Sequence, residues 1–232
     1  MRDFADIFAD AAARHGGAEA LNATLAATLA LPPDKIAAIA DDRILAQMAR
    51  HIFQSGFSWA VIDKKWPGFE TAFAAFDPAI NAAMSDERLD ELLKDPGIIR
   101  NGAKIRSVAL NAQFLMSLAA EHGSAARFFA GWPQDDFLGL LDYLKSHGDR
   151  LGGQIGARVL RNLGKPAYIL SDSVIAALIK EGIVATNPTS KRDLAAVQKA
   201  FNAWSHESGR DLTSISRTLA MSTGEIASGH HH

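Results

Sequence analysis

The sequence predicts an all-α fold, and three observations support that prediction. Apolar residues recur every three to four positions along most of the 232 residues, which is the period of an amphipathic helix. The alternation of apolar and polar residues that marks a half-buried strand is absent. Short breaks containing Pro or Gly separate the periodic stretches, and none is long enough to be a flexible linker; they fall at 31–34, 66–68, 95–97, 131–133, 165–166 and 187–189.

Each periodic stretch predicts one helix with a buried face. In chain order these faces are Phe4, Ile7, Phe8 and Ala11; Ile44, Leu45, Met48, Ile52 and Phe53; Ile105, Val108, Ala112, Leu115 and Ala119; Phe137, Leu140, Leu141 and Leu144; Val174, Ile175, Leu178 and Ile179; and Leu194, Val197, Phe201 and Trp204. Ser85, Ser190 and Thr213 are the predicted N-caps. The chain has 48% hydrophobic residues, which is enough for positions 1–228 to form a single compact helical unit, either with one core or with two lobes.

Composition and charge exclude several classes of protein. The chain has no run of eighteen apolar residues and no signal-like N-terminus, so we expect a cytoplasmic protein with no membrane span. Its lack of cysteine excludes disulfides, thiolate metal sites and a cysteine nucleophile. Residues 229–232 look like the remnant of a purification tag. A formal charge of −2 argues against a general nucleic-acid coat, so any DNA site must be a local basic patch.

A glycine-rich turn, L-G-G-Q-I-G-A at 151–157, stands between two predicted helices. Its glycines allow a tight turn, and the amides that open the next helix face outward with the positive end of the helix dipole. Such a turn can hold a DNA phosphate without reading sequence, although similar turns also join helices in proteins that never meet DNA. The predicted DNA contacts are Gly153, Gly156, Arg158, Arg161 and Lys165, and a second basic cluster consists of Arg100, Lys104 and Arg106.

A series of short segments occurs in the same order and with similar spacing as in the 3-methyladenine DNA glycosylase I family. These segments lie at 41–45, 54–59, 69–70, 76–78, 95–101, 104–105 and 111–112, so the chain resembles that family over about residues 41 to 120. The glycine turn and Asp172 extend the resemblance to about residue 178, through the wider helix-hairpin-helix DNA glycosylase superfamily. The resemblance implies two helical lobes that flank a base-binding cleft, with the helix-hairpin-helix at about 136–164.

The resemblance also implies a function. It is that of a monofunctional glycosylase that excises alkylated purines such as 3-methyladenine in base excision repair, acting as a monomer on double-stranded DNA with a damaged base. A bifunctional lyase would need a lysine at the start of the helix after the turn, and residues 155–159 contain none. The chain departs from the family in three respects. Typical members carry a glutamate where this chain has His51, a Y-H-D-x-E-W-G segment near the N-terminus that is not found here, and a zinc site of Cys and His that this chain cannot form.

The implied chemistry calls for an aromatic wall, a carboxylate and phosphate anchors, because the base must leave the stack before its N-glycosidic bond is cut. By resemblance, Trp59 stacks the base and Asp172 stabilises the cationic sugar or orients water. A core tryptophan and a helix cap, made by Asp172 or by Ser171, are the alternative interpretations. His51, Gln54 and Tyr168 are further candidates for base binding, each with a structural role as its alternative. We expect no cofactor and no zinc, with a monovalent cation at hairpin carbonyls left open.

Two other functions compete with ordinary alkyl-base excision. Loss of the family glutamate favours either a glycosylase of altered specificity or a catalytically silent helix-hairpin-helix protein that binds DNA or senses damage. Fold alone never proves activity. An unrelated helical interaction module is the third alternative.

Overall fold

The computed structural model describes residues 1–27 and 30–223, and within them every regular element is helical. The predicted tag remnant at 229–232 lies outside the described residues. The α-helices are α1 Phe4–Arg14, α2 Ala18–Ala26, α3 Pro33–Ala37, α4 Asp41–Gln54, α5 Trp59–Ala72, α6 Pro78–Ala82, α7 Asp86–Leu92, α8 Gly102–His122, α9 Ala125–Gly131, α10 Phe137–His147, α11 Gln154–Asn162, α12 Asp172–Lys180, α13 Lys191–Ser208 and α14 Leu212–Thr223. Two 3-10 turns accompany them, at Ala74–Phe76 and Gln134–Asp136. The prediction of an all-α fold is confirmed.

Polar residues begin several of these helices where the sequence predicted them. The Ser85 and Ser190 side chains accept hydrogen bonds from backbone N–H groups of the helices that follow, so both predicted N-caps are confirmed. The prediction for Thr213 is wrong. The Asp211 carboxylate accepts the N–H groups of Thr213 and Ser214 at 2.8 and 3.0 Å, while the Thr213 hydroxyl bonds to the backbone of Ala167. An aspartate two residues earlier takes the capping position.

The chain divides into two compact units, of which the first takes in the described parts of 1–30, 133–138 and 166–223. Helix α14 packs against α1 and α12 in this unit. Its core is aromatic: the Tyr168 ring stacks on Phe201 at 4.4 Å between centroids and meets Phe137 edge-on at 4.8 Å. The predicted face of α12 is correct at Val174 and Leu178, which are buried, and wrong at Ile179, which is 41% exposed.

The second unit consists of residues 31–132 and 139–165. Helix α8 runs through it for 21 residues and packs against α4 and α6, with Ala112 and Leu115 fully buried. Phe53, Phe69 and Phe73 pack with their neighbours in an aromatic cluster beside α4. Among the described helices, none combines the length and apolar character that crossing a bilayer requires. The second unit contains the glycine turn and most of the predicted base-binding residues.

Candidate functional site

The glycine turn lies between α10, which ends at His147, and α11, which begins at Gln154. Gly153 precedes α11 with φ +60° and ψ −134°, a conformation that glycine adopts at little cost. It is exposed and supplies no side chain to cap the helix. The first backbone N–H groups of α11 therefore lack a side-chain cap and lie next to an exposed glycine. Uncapped N–H groups at a helix N-terminus can bind an anion.

Gly156 has a different role from Gly153, because it is buried. A Cβ atom at this position would lie 2.7 Å from the carbonyl oxygen of Leu151 and 3.3 Å from Cδ1 of Leu144. The absence of a side chain thus lets α11 pack closely against the turn and α10. Gly156 shapes the hairpin, whereas Gly153 is the glycine at its surface.

Asn111 of α8 fixes the entry to this turn. Its amide oxygen accepts the N–H of Asp149 at 2.8 Å, and its amide nitrogen donates to the carbonyl of the same residue at 3.0 Å. The side chain is almost fully buried, and the next residue, Arg150, has a left-handed φ of +59°. Asn111 belongs to the segments that carry the family resemblance, although no role was predicted for it. The available signal was its position on the same helical face as Val108, Ala112 and Leu115, all of which are buried.

A cleft of about 480 Å³ opens beside the turn, within the second unit. It brings together predicted residues from α4, α5 and α11, and its lining consists of His51, Gln54, Ser55, Gly56, Trp59, Gly152, Gln154, Ile155 and Arg158. The expected aromatic wall and one expected phosphate anchor therefore share a single concave surface, which is where a flat ligand could bind.

Trp59 is the exposed aromatic side chain of this cleft. It is the first residue of α5 and is 45% exposed, so the alternative of a core tryptophan is excluded. The Arg158 guanidinium lies 5.7 Å from the centroid of the indole, and the His51 ring approaches edge-on at 6.4 Å. An indole with this exposure and a cation over one face can stack a base.

His51 is buried at the wall of the cleft and is held in its neutral form. The amide nitrogen of Asn162 lies 2.8 Å from Nε2 and donates to it, so the ring proton is on Nδ1. Burial, followed by the positive charges of Arg158 and Arg50, lowers the pKa of His51 from 6.5 to about 4. At neutral pH the side chain carries no charge, and it forms a hydrogen bond with the Gln54 side chain.

Gln54 lines the same cleft, one helical turn after His51. It is 6% exposed, and its side chain forms a hydrogen bond with that of His51, which raises the His51 pKa against the larger effect of burial. Gln54 therefore lies in the lining of the cleft with a partner of its own, and its role in base binding stays a prediction.

Two predicted site residues are core residues instead. The Tyr168 side chain is 2% exposed, stacks on Phe201 and donates its hydroxyl to Gln198 at 3.1 Å, so the prediction that it binds a base is wrong. Lys165 is 5% exposed and donates to the carbonyl of Trp132 at 2.6 Å, so the prediction that it contacts phosphate is wrong. Burial lowers the Lys165 pKa to about 8.

Asp172 lies in the first unit, as the exposed first residue of α12. The Ser171 hydroxyl accepts the N–H of Val174 at 3.4 Å, so Ser171 is the helix cap. The carboxylate of Asp172 is not needed for that purpose, and its catalytic role stays a prediction. Arg161, on α11, is partly exposed.

Lys104 has a structural role that its sequence pattern does not indicate. Although it was grouped with Arg100 and Arg106 in a basic surface cluster, it is only 8% exposed. Its Nζ donates to the carbonyl oxygens of Phe53, at 3.2 Å, and of Ser55, and it lies 4.7 Å from the centroid of the Phe57 ring. One ammonium thus fixes the turn that connects Gln54 to Trp59. In the described part of the chain, no three acidic or histidine side chains come together as metal ligands would.

Part of the chain has relatives among known proteins. The profile of the family described as Methyladenine glycosylase matches residues 36–137. The DNA-3-methyladenine glycosylase 1 of Escherichia coli (strain K12) is 37% identical over 65 residues, which are 28% of this chain and 35% of that protein. The DNA-3-methyladenine glycosylase of Haemophilus influenzae is 32% identical over a stretch of the same length.

A solved structure also matches part of the chain. A crystal structure of 3-methyladenine DNA glycosylase I is 26% identical and covers 53% of this chain and 78% of that one, with a TM-score of 0.46. The chain spans about a third of the length of the curated relatives it matches. The matched residues 36–137 include the α4 and α5 side of the cleft, and the glycine turn lies beyond them.

Proposed function

We propose that this chain, whose residues 36–137 match the methyladenine glycosylase family, is a monofunctional DNA glycosylase of base excision repair. The observation that carries the proposal is the cleft, in which the exposed Trp59 stands beside an open helix N-terminus at a glycine turn. One feature captures a flat base and the other an anionic backbone, as an enzyme that extrudes a nucleotide requires.

The proposed ligand is double-stranded DNA that contains a damaged base, bound by a monomer in the cytoplasm. Gly153 and the first N–H groups of α11 hold a phosphate, and Arg158 adds positive charge next to them. Such contacts position the protein on DNA without reading its sequence. Alkylated purines such as 3-methyladenine are the first substrates to test, since the relatives carry that name. No metal or cofactor is part of the proposal.

Asp172 is the proposed catalytic carboxylate. Cleavage of the N-glycosidic bond builds positive charge on the sugar, and a nearby carboxylate stabilises that charge or orients the attacking water. With no lysine at 155–159, the product is an abasic site.

Two variants separate catalysis from capture. Asp172→Asn should keep DNA affinity and lose excision on the order of a hundredfold or more, since a neutral amide cannot balance the charge on the sugar. Trp59→Ala should lose stacking of about 1–3 kcal/mol, which appears as weaker binding of damaged DNA. Single-turnover release of bases from methylated duplex DNA measures the first effect, and fluorescence anisotropy measures the second. Asp90→Asn, an exposed acid on α7, is the matched control and should change neither.

Full excision by Asp172→Asn would show that the catalytic carboxylate lies elsewhere. A second candidate function follows from the lining of the cleft, which contains no acidic residue among those described: a catalytically silent protein that binds DNA. That candidate predicts damage-selective binding by the wild type without release of any base.

A further inference from the structure

We propose that three hydroxyl side chains of α14 are positioning residues for the reaction, because they fix the backbone on both sides of Asp172. This inference rests on the proposed function, in which Asp172 is the catalytic carboxylate. Residues 166–171 lead into α12 as an irregular segment of the first unit. Such a segment holds a side chain in place only when other groups bind its backbone. The hydroxyl groups that do so belong to Thr213, Ser216 and Thr223.

Thr213 binds the segment as one residue of a neighbouring β-strand would. Its Oγ1 accepts the N–H of Ala167 at 2.9 Å, and its hydroxyl donates to the carbonyl of the same residue at 3.2 Å. In an antiparallel pair of strands, one residue satisfies both backbone groups of its partner in the same way. Both residues are buried, so water does not compete for these groups. The start of the segment is therefore fixed to α14.

Ser216 and Thr223 continue this contact into α12. The Ser216 hydroxyl accepts the N–H of Ile169 at 3.1 Å, and the Thr223 hydroxyl donates to the carbonyl of Ser173 at 2.8 Å. Ser173 follows Asp172 directly in the sequence. The proposed catalytic carboxylate is thus attached to a backbone that α14 holds before it and after it.

The spacing of these residues explains how a helix can hold an extended chain. The N–H and C=O groups of a helix bond to one another along its axis, so only its side chains can bind a neighbouring backbone. Ser216 lies three residues after Thr213, and Thr223 lies seven residues after Ser216, which places all three on one face of α14. Tyr168 adds an anchor of another kind in the middle of the segment, because its ring stacks on Phe201 at 4.4 Å.

The position of a catalytic carboxylate affects the rate of reaction more than the binding of substrate. An error of about 1 Å can cost about a hundredfold in rate. The proposed phosphate and stacking contacts, Gly153 and Trp59, belong to the other unit and do not involve α14. Loss of one of the α14 hydroxyl groups should therefore slow excision and leave DNA affinity unchanged.

Single-turnover excision from methylated duplex DNA, with protein in excess, tests this expectation. Thr213→Val removes the hydroxyl but keeps the branched side chain, and it should slow excision by about tenfold or more. Thr213→Ser keeps the hydroxyl and should recover most of the rate. Thr218→Val is the matched control, because the buried Thr218 hydroxyl donates to the Ser214 carbonyl within α14 itself. Its rate should stay within about twofold of the wild type.

Ser216→Ala is a second variant that perturbs the packing less. It removes the acceptor of the Ile169 N–H and should also slow excision by about tenfold. Circular dichroism selects an assay temperature at which every variant is folded, and fluorescence anisotropy should give the wild-type DNA affinity for each. Wild-type excision rates in folded Thr213→Val and Ser216→Ala, with Asp172→Asn inactive, would overturn the inference and leave the glycosylase standing.

A double variant shows whether the hydroxyl acts through the carboxylate. In the Asp172→Asn background, Thr213→Val should cause no further loss of rate, because no carboxylate is left to position. Loss of the same size in both backgrounds would mean that the two changes act independently, which contradicts a positioning role.

Amide hydrogen exchange provides a measurement that does not require catalysis. Thr213→Val should speed exchange at Ala167, and Ser216→Ala should speed it at Ile169, each by about tenfold or more, whereas Thr218→Val should change neither. Unchanged exchange at both amides overturns the inference. Faster exchange at these amides in a protein that releases no base would support the placement of Asp172 by α14 and contradict the glycosylase.

Discussion

Replacing Gly156 by alanine tests how closely the two helices of the hairpin pack. The new Cβ would lie 2.7 Å from the carbonyl oxygen of Leu151, a backbone atom that cannot swing aside as a side chain does. Leu144 lies 3.3 Å away on the other side, so the methyl group has no direction in which to relax freely. Helix α11 must therefore move away from the turn.

The expected loss of stability follows from two opposing effects. Inserting a methyl group into a packed interior costs about 1–3 kcal/mol, and the contact with a backbone atom places this insertion in the upper part of that range, at about 2–3 kcal/mol. The better helix propensity of alanine returns up to about 1 kcal/mol, so the net decrease in the free energy of unfolding is about 1–3 kcal/mol. For a chain of this length, each kcal/mol lowers Tm by about 2–4 °C, so Tm should fall by about 2–12 °C.

Thermal unfolding followed by circular dichroism measures this effect, with Gly131→Ala as the matched control. A Cβ at Gly131, the last residue of α9, meets no atom within 4 Å, and the backbone there is not left-handed. That variant should melt at the wild-type temperature or slightly above it. A Tm for Gly156→Ala within about 1 °C of the wild type, or an equal fall in both variants, would refute the packing argument. Because the hairpin is displaced, Gly156→Ala should also bind DNA of every sequence more weakly.

Three further predictions concern buried polar side chains. The pKa of His51 is about 4 in the folded state and 6.5 in the unfolded state, so protonation favours unfolding below pH 6.5. The free energy of unfolding should therefore fall by about 3 kcal/mol between pH 6.5 and pH 4, and urea titrations of His51→Gln should show a smaller fall. Lys104→Met leaves two carbonyl groups unpaired and should cost about 1–3 kcal/mol in urea unfolding, with partial recovery in Lys104→Arg. Lys165→Met should leave DNA affinity and its salt dependence unchanged, because the ammonium is buried against the Trp132 carbonyl. Arg158→Gln should lower the affinity and make it less dependent on salt, and an equal loss of affinity in the two variants would show that Lys165 is not enclosed as described.

The helices could be predicted from the sequence because their signal is local. A stretch such as Ile44–Phe53 shows its buried face in the spacing of its apolar residues, and Ser85 and Ser190 bond to backbone N–H groups only three residues away. The prediction for Thr213 failed because Asp211 caps the helix two residues earlier, so Thr213 lies inside the first turn and its own N–H is one of the groups that Asp211 accepts.

The candidate site was predicted less evenly, because side-chain exposure depends on tertiary packing. Trp59, His51 and Gln54 line one cleft, as expected for base-binding residues. Tyr168 and Lys165 have residue types that suit a site, yet neighbours far along the chain enclose them; Gln198 is 30 residues from Tyr168, and Trp132 is 33 from Lys165. No spacing rule reports such enclosure.

The distribution of ion pairs explains how a slightly acidic chain can still present a positive site. Arg43 is bound to Glu70, Arg50 to Asp63, and Arg2 to Glu181, so their charges are largely compensated within the protein. Arg158 differs, because it lies over an aromatic ring beside the turn and has no ion pair among the described residues. An uncompensated guanidinium attracts an anion, and a backbone phosphate is the anion that DNA presents. Such a surface contact releases counterions when it forms, so it weakens as ionic strength rises. DNA affinity should therefore depend less steeply on salt in Arg158→Gln than in the wild type, and equal slopes would show that Arg158 contacts no phosphate.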